Sequence, residues 1–132
     1  MALPSVGGGR QVGDGNVSEP VLGVQSTPGA ATSSATLTVA QLLSGILVAD
    51  PSSSAASYTL PTVAALEAVL VNAKINSTFT LSLINIGTGS GIVTLLTGTG
   101  WTLVGDVTVP ITSANTLICR KTGATTWTMY IA

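Results

Sequence analysis

Apolar and polar residues alternate through much of the C-terminal half of the chain, and this pattern predicts strands. In the predicted strand 78–86, Phe79, Leu81 and Leu83 fall on one face, while Thr80 and Ser82 fall on the other. Because successive side chains of a strand point to opposite sides, the first face is predicted to be buried and the second to carry only hydroxyl groups. Glycine-bearing turns separate this segment from further predicted strands at 91–97, 101–109, 116–120 and 127–131.

The middle of the chain predicts two more strands and one helix. Residues 36–40 alternate like a strand, and the β-branched run 45–49 ends at a turn that begins with Asp50. Val63, Leu66 and Val69 then recur at helical spacing, with Thr62 as a candidate N-cap. One short α-helix is therefore predicted over about 62–72.

Short strands separated by turns at these intervals are typical of all-β domains. The sequence predicts an antiparallel β-sandwich or jelly-roll-like domain over residues 36–132, with the helix closing one end. Residues 1–35 are rich in glycine, serine and proline and show no single apolar period. We interpret them as an extended N-terminal arm, and the alternative is a disordered tail without a partner.

Recurring apolar side chains distinguish this segment from an ordinary tail. An arm that lies in a groove can bury one such side chain every few residues, and glycine allows its backbone to come close to the partner. The candidate binding residues of the arm are Val6, Arg10, Val12, Val17, Val21, Leu22 and Val24.

Charge is scarce along the whole chain. Charged residues make up 7% of the sequence, against about 25% in ordinary soluble domains, and the formal net charge is -1. A nearly neutral surface favours association with other subunits, whereas four basic residues offer no footprint for a nucleic acid. No apolar stretch approaches the about 20 residues of a membrane-spanning helix, and no signal peptide is recognisable, so we expect neither nucleic acid nor membrane as a partner.

Catalytic chemistry has few candidate groups in this sequence. The chain has no histidine, and its five carboxylates are scattered with no two close together. We therefore predict that the protein is not an enzyme and has no catalytic, metal or cofactor site and no small-molecule substrate. Cys119 is expected to be a buried structural thiol, and Trp101 and Trp127 are expected to be core or interface anchors.

Three segments together resemble a known class of virion proteins. They are Gln41–Val48, then Tyr58–Thr62 leading into the short helix, then Phe79–Asn85 with the Gly/Thr-rich strands that follow it. Over residues 36–132 the chain is similar to small bacteriophage capsid decoration (cement) proteins. The resemblance implies a β-domain that assembles as a homotrimer on the outer surface of the capsid, where an extended segment binds the major capsid protein and stabilises the shell.

Two other functions remain open at this point. Similar domains occur in head and tail fibres, so a fibre or receptor-binding module is the main alternative, although residues 1–35 contain no periodic repeat of a fibre shaft. A carbohydrate-binding or hydrolytic domain is a third possibility. The expected localisation is the virion.

Overall fold

Residues 22–132 are described by a computed structural model, in which ten strands and two short helices surround one core. The helices are α1 (Val39–Leu42) and α2 (Val63–Val69). The strands are β1 (Gly29–Ala31), β2 (Ala35–Thr36), β3 (Ile46–Ala49), β4 (Ala56–Thr59), β5 (Thr78–Asn85), β6 (Val93–Leu96), β7 (Trp101–Val104), β8 (Thr108–Val109), β9 (Ser113–Gly123) and β10 (Thr126–Ile131).

The strands form two sheets, and the first six strands alternate between them. Sheet A has the order β1-β3-β5-β9-β10-β7, and sheet B has the order β2-β4-β6-β8. Within each sheet the first three strands are parallel, so the chain passes through three stacked coils, each with one strand in either sheet. The last four strands then extend both sheets on the side of the third coil.

The all-β prediction with two sheets is confirmed, but the predicted antiparallel pairing is wrong. Both sheets are mixed: five of the eight strand pairs are parallel and three are antiparallel. The jelly-roll form is not confirmed either. Alternation along a strand predicts which face is buried, but it does not predict which strand lies beside it. In addition, several short turns that resemble hairpin turns in the sequence connect strands of different sheets.

The inward side chains of the two sheets meet in a single core. Leu47 and Leu83 are register partners in sheet A, Tyr58 and Leu95 are partners in sheet B, and all four are almost completely buried. Along β5 the burial follows the predicted alternation, with Leu81 and Leu83 buried and Thr80 exposed.

A buried asparagine continues this inward face at the end of β5. Asn85 has no exposed surface, and its side-chain amide donates to the carbonyl oxygens of Gly91 and Val109, both at 2.9 Å. Its Oδ1 accepts from the Gly87 amide at 2.8 Å. These bonds tie the turn that follows β5 to β8 of the opposite sheet.

The predicted helix is present, with its N-cap as expected. The Thr62 hydroxyl accepts a hydrogen bond from the Ala65 amide at 3.2 Å, and this satisfies one of the unpaired donors at the helix start. The helix ends at Val69 rather than near residue 72, because Leu70 leaves helical geometry.

The strand predicted over 36–40 is largely wrong. Of the five residues predicted as a strand, only Thr36 belongs to β2, and the four-residue helix α1 begins at Val39. The reason is a capping box. The Thr38 hydroxyl accepts a hydrogen bond from the backbone amide of Gln41, and the side-chain oxygen of Gln41 accepts one from the backbone amide of Thr38. Residues 22–132 therefore contain two helices, where one was predicted.

The strand predicted over 101–109 is divided in two. Gly105 has a φ of +116°, which favours glycine, and the chain turns there from β7 in sheet A to β8 in sheet B. The strand predicted over 116–120 is longer than expected, and β9 runs from Ser113 to Gly123.

Strand pairing begins within the segment predicted as the arm. Gly29–Ala31 pairs with β3, and Ala35 pairs with Tyr58 of β4. The part of the predicted arm that precedes all strand pairing in the structure therefore ends before Gly29.

Candidate functional site

The predicted arm residues are placed only in part. Val6, Arg10, Val12, Val17 and Val21 lie outside the described residues. Leu22 and Val24 precede the first strand, with relative exposures of 78% and 103%. Their apolar side chains are available to a partner.

Two glutamine side chains attach the start of the described chain to the domain. Nε2 of Gln25 donates to the Ser44 carbonyl at 2.6 Å, and Nε2 of Gln41 donates to the Ala30 carbonyl of β1 at 2.7 Å. The second bond satisfies an acceptor on the edge strand of sheet A. Of the described residues, Leu22, Gly23 and Val24 make no hydrogen bond to the rest of residues 22–132.

Asp50 and Asp106 have structural partners two residues further along the chain. Asp50 accepts from the Ser52 amide at 3.1 Å, and Asp106 accepts from the amide and hydroxyl of Thr108 at 2.9 and 2.7 Å. Those bonds from Thr108 hold the pKa of Asp106 below its ordinary value. Among residues 22–132, no group of three or more metal-binding side chains is found.

Glu67 of α2 joins the helix to sheet A. Its carboxylate accepts hydrogen bonds from the Lys121 ammonium and, at 3.2 Å, from the Trp127 indole nitrogen. The bond from Lys121 is the main reason that the pKa of Glu67 lies below its ordinary value. Lys121 is almost buried and lies opposite Trp127 in the β9–β10 pair, so this cluster fixes the position of α2.

Cys119 lies in the core on the inward face of β9. It has no exposed surface, and desolvation by burial raises the pKa of its thiol to about 12. Because the thiolate is the nucleophilic form, this cysteine is unreactive near neutral pH. The predicted structural thiol is confirmed.

The two tryptophans are anchors of the core. The ring of Trp127 lies 5.5 Å from the Phe79 ring and 6.1 Å from the Trp101 ring, measured between centroids. The Trp101 indole donates to the Pro61 carbonyl at 2.8 Å. Both side chains are at most 7% exposed, which leaves no flat aromatic surface for stacking a sugar.

A groove of about 310 Å³ lies beside the end of α2. Phe79 and Trp127 contribute to its lining, while Val69 and Val71 at its rim are more than half exposed. The groove is mainly apolar, and no ionisable side chain lines it. The hydroxyls of Ser77 and Thr78 are part of its lining, and no acid or base among the lining residues stands beside them.

The outer face of sheet A is the broadest strand surface of the described chain. Its outward side chains form rows across the strands, because the register aligns them from strand to strand. The first row is apolar, and the second row contains two hydroxyl groups at the centre of the sheet. The first row is Ala30, Val48, Ile84 and Ala114, and the second is Ile46, Ser82 and Thr116.

The other two rows lie nearer the opposite end of the strands. The third is mainly apolar. The fourth is mainly hydroxyl-bearing and contains the one charged residue that residues 22–132 place on this face. The third row is Thr80, Ile118, Tyr130 and Val104, and the fourth is Thr78, Arg120, Thr128 and Thr102.

The single charged residue of this face is held by neutral groups. The Arg120 guanidinium donates to the Tyr130 hydroxyl at 2.8 and 3.2 Å and to Oδ1 of Asn76 at 2.9 Å, and it lies 5.7 Å from the centre of the Tyr130 ring. No carboxylate among residues 22–132 forms a salt bridge with it. Its position is thus fixed within its own chain.

No family model, curated protein or solved structure matches the chain. None of the helices described between residues 22 and 132 is long and apolar enough to span a membrane. The prominent features of the described domain are the outer faces of its two sheets, which carry Arg120 as their one charged residue, and the exposed apolar residues before β1.

Sequence reasoning identified hydroxyl groups on one face of β5 but not the extent of the surface. The rows depend on the neighbours of β5 in sheet A, which a single sequence does not specify. Alternation in β9 and β10 could have predicted that Ile118 and Tyr130 point outward, because each is next in sequence to a buried core residue.

Proposed function

We propose that this chain is a structural subunit of a bacteriophage particle, a capsid decoration (cement) protein that binds the outer surface of the shell and stabilises it. The partners in this proposal are the major capsid protein and two further copies of the chain in a homotrimer. No catalytic step is involved.

The observation that carries the proposal is the scarcity of charge on the outer faces of the two sheets. On the outer face of sheet A only Arg120 is charged. The outward positions of sheet B are also uncharged, and include Ser57, Thr59 and Thr94. Short hydroxyl-bearing side chains lose little conformational entropy and leave no unpaired charge when another subunit covers them, which suits a subunit of a permanent assembly.

The segment before β1 supports a second contact. From Pro20 to Ala49 no residue carries a charge, and Leu22 and Val24 are exposed. An exposed apolar segment that leads into an edge strand has the chemistry of an extended peptide that binds a groove or a strand edge of a neighbour. In this proposal residues 1–24 bind the capsid surface.

Copy number in purified particles tests the proposed location. A subunit that covers a shell is present in tens to hundreds of copies, whereas a fibre or receptor-binding module is present in far fewer. We expect quantitative mass spectrometry of particles from the host culture to give the high number. A low number would favour the fibre module, and absence from the particles would contradict both.

Deletion of residues 1–24 is expected to abolish binding to shells without unfolding the domain. The deletion ends before Gln25, so the hydrogen bond to Ser44 and the pairing of β1 remain. Each buried valine contributes roughly 1.5–3 kcal/mol, and ordering each residue costs about 1–2 kcal/mol, so one arm binds weakly. Three arms on one trimer raise the overall affinity for the shell by about 10²–10⁴-fold. Co-sedimentation of the deletion variant with undecorated shells measures the loss of this affinity.

Two full-length variants separate the apolar contacts from the length of the arm. Replacement of Val12, Val17 and Val21 by serine removes apolar side chains and is expected to reduce binding strongly. Replacement of Ser5 and Ser18 by alanine is the matched control and should bind as the unmodified chain does. Equal binding by the deletion variant and the full chain would show that residues 1–24 have no role in docking.

A further inference from the structure

The four rows on the outer face of sheet A have a definite order along the strands. The first row is entirely apolar, the second is mainly hydroxyl-bearing, the third is mainly apolar, and the fourth combines hydroxyl groups with Arg120. The two ends of the face therefore differ in chemistry. A partner that covers the whole face must match this order.

We propose that the outer face of sheet A is the contact between copies of this chain, which are arranged around an axis parallel to its strands. This inference rests on the proposed function, because it assigns a surface to the homotrimer. Rotation about such an axis leaves the height of each residue along the strands unchanged. Each row of one copy therefore meets the same row of the next copy.

In this arrangement the side chains of each row meet side chains of the same chemical kind in the next copy. Val48 and Ile84 meet apolar side chains, while Ser82 and Thr116 meet hydroxyl groups with which they can exchange hydrogen bonds. An axis perpendicular to the strands would instead place the apolar first row against the row of Arg120, and would leave that charge against aliphatic side chains. The chemistry of the face thus selects the orientation of the axis.

Arg120 fits the same arrangement. Its guanidinium has five N–H donors, of which three bond to Tyr130 and Asn76 in its own chain. The fourth row of the next copy supplies the hydroxyl oxygens of Thr78, Thr102 and Thr128 as acceptors for the remaining donors. The Arg120 guanidinium is then buried in the interface with hydroxyl oxygens as its acceptors, and it needs no carboxylate partner.

The dimensions of the face are close to those of a stable interface. The four rows contain fifteen outward residues, with the first two rows on β1, β3, β5 and β9 and the last two on β5, β9, β10 and β7. This number approaches the about 20 residues per partner at the lower end of standard protein interfaces. No other face of the described strands combines this width with so little charge.

Substitution of Ser82 tests the inference, because this residue lies near the centre of the face. Ser82→Glu places one carboxylate per copy in the second row, and burial of these charges against each other is expected to weaken self-association by about 100-fold or more. Ser57→Glu is the matched control for self-association alone, because Ser57 is also a half-buried, outward serine on an inner strand, but in sheet B, which this inference leaves outside the contact between copies. Ser82→Ala tests loss of the hydroxyl without a charge.

Analytical ultracentrifugation at micromolar concentration gives the readout, and tryptophan fluorescence confirms that each variant is folded. We expect the unmodified chain, Ser57→Glu and Ser82→Ala to be oligomeric and Ser82→Glu to be monomeric. Thr116→Glu, at an exposed position of the same row, should reproduce the effect if Ser82→Glu fails to fold. A monomeric unmodified chain, or oligomers of both folded sheet A variants, would overturn the inference.

The failure of this inference is distinguishable from the failure of the proposed function. Copy number in particles is measured on the unmodified chain and does not depend on which face joins the copies. A chain abundant in particles whose Ser82→Glu variant stays oligomeric retains the proposed function and loses only the assigned interface.

Discussion

Replacement of Asn85 by alanine is expected to lower the free energy of unfolding by about 3–5 kcal/mol. The substitution removes three hydrogen bonds of a side chain with no exposed surface, and leaves the Gly91 and Val109 carbonyl groups and the Gly87 amide without that partner. Each buried polar group left unpaired costs about 1–3 kcal/mol. Urea unfolding at a fixed protein concentration measures the change.

Asn115→Ala provides the matched control for this prediction. Asn115 is half-buried in β9, and its side chain makes one long hydrogen bond, 3.4 Å, to the Thr108 carbonyl. Its loss is expected to cost less than about 1 kcal/mol. If the two alanine variants are equally stable, the bonds of Asn85 do not hold the turn to β8 as described.

Replacement of Trp127 by alanine is expected to destabilise the domain by about 3–5 kcal/mol, the usual range for loss of a large buried aromatic side chain. The indole packs against the rings of Phe79 and Trp101, and its nitrogen donates to Glu67 of α2. The substitution therefore leaves a cavity and also loosens the helix. Small domains have a total stability of about 5–15 kcal/mol, so this variant is expected to unfold at a much lower urea concentration.

Trp127→Phe separates the two contributions. Phenylalanine retains an aromatic ring in the core but cannot donate the hydrogen bond to Glu67, which keeps its bond from Lys121. We expect a loss well below that of the alanine variant. Equal losses for both variants would show that the hydrogen bond, and not ring packing, dominates the contribution of Trp127.

The sequence allowed the faces of individual strands to be predicted, because side-chain alternation is a local property. The buried positions Leu81 and Leu83 of β5 follow from it, and so does the inward position of Asn85 two residues later. The N-cap Thr62 was likewise recognisable from its immediate neighbours. The pairing partners were not, because parallel strands of one sheet are separated here by a strand of the other sheet.

The candidate site depended on those non-local relations. Residues far apart in sequence, such as Thr80 and Tyr130, share a row only because β5, β9 and β10 are neighbours. The helix α1 shows a different limit: the alternation of residues 36–40 concealed the Thr38–Gln41 capping box, which was a stronger local signal. Of the seven candidate binding residues of the arm, only Leu22 and Val24 lie in the described residues, so the binding role of residues 1–24 stays a prediction.

The position of β1 also determines how the domain responds to a pulling force. The strand is three residues long, and among the described strands it lies at the edge of sheet A and pairs with β3 alone, whereas β10 is held between β9 and β7. A load applied through the N-terminal segment would therefore peel β1, with the bonds of Gln25 and Gln41, before it reached the pairs of β5, β9 and β10. The first coil would unfold before the core does. In the proposed role, a subunit anchored to an expanding shell would thereby lengthen its connection to the shell while its core stayed folded.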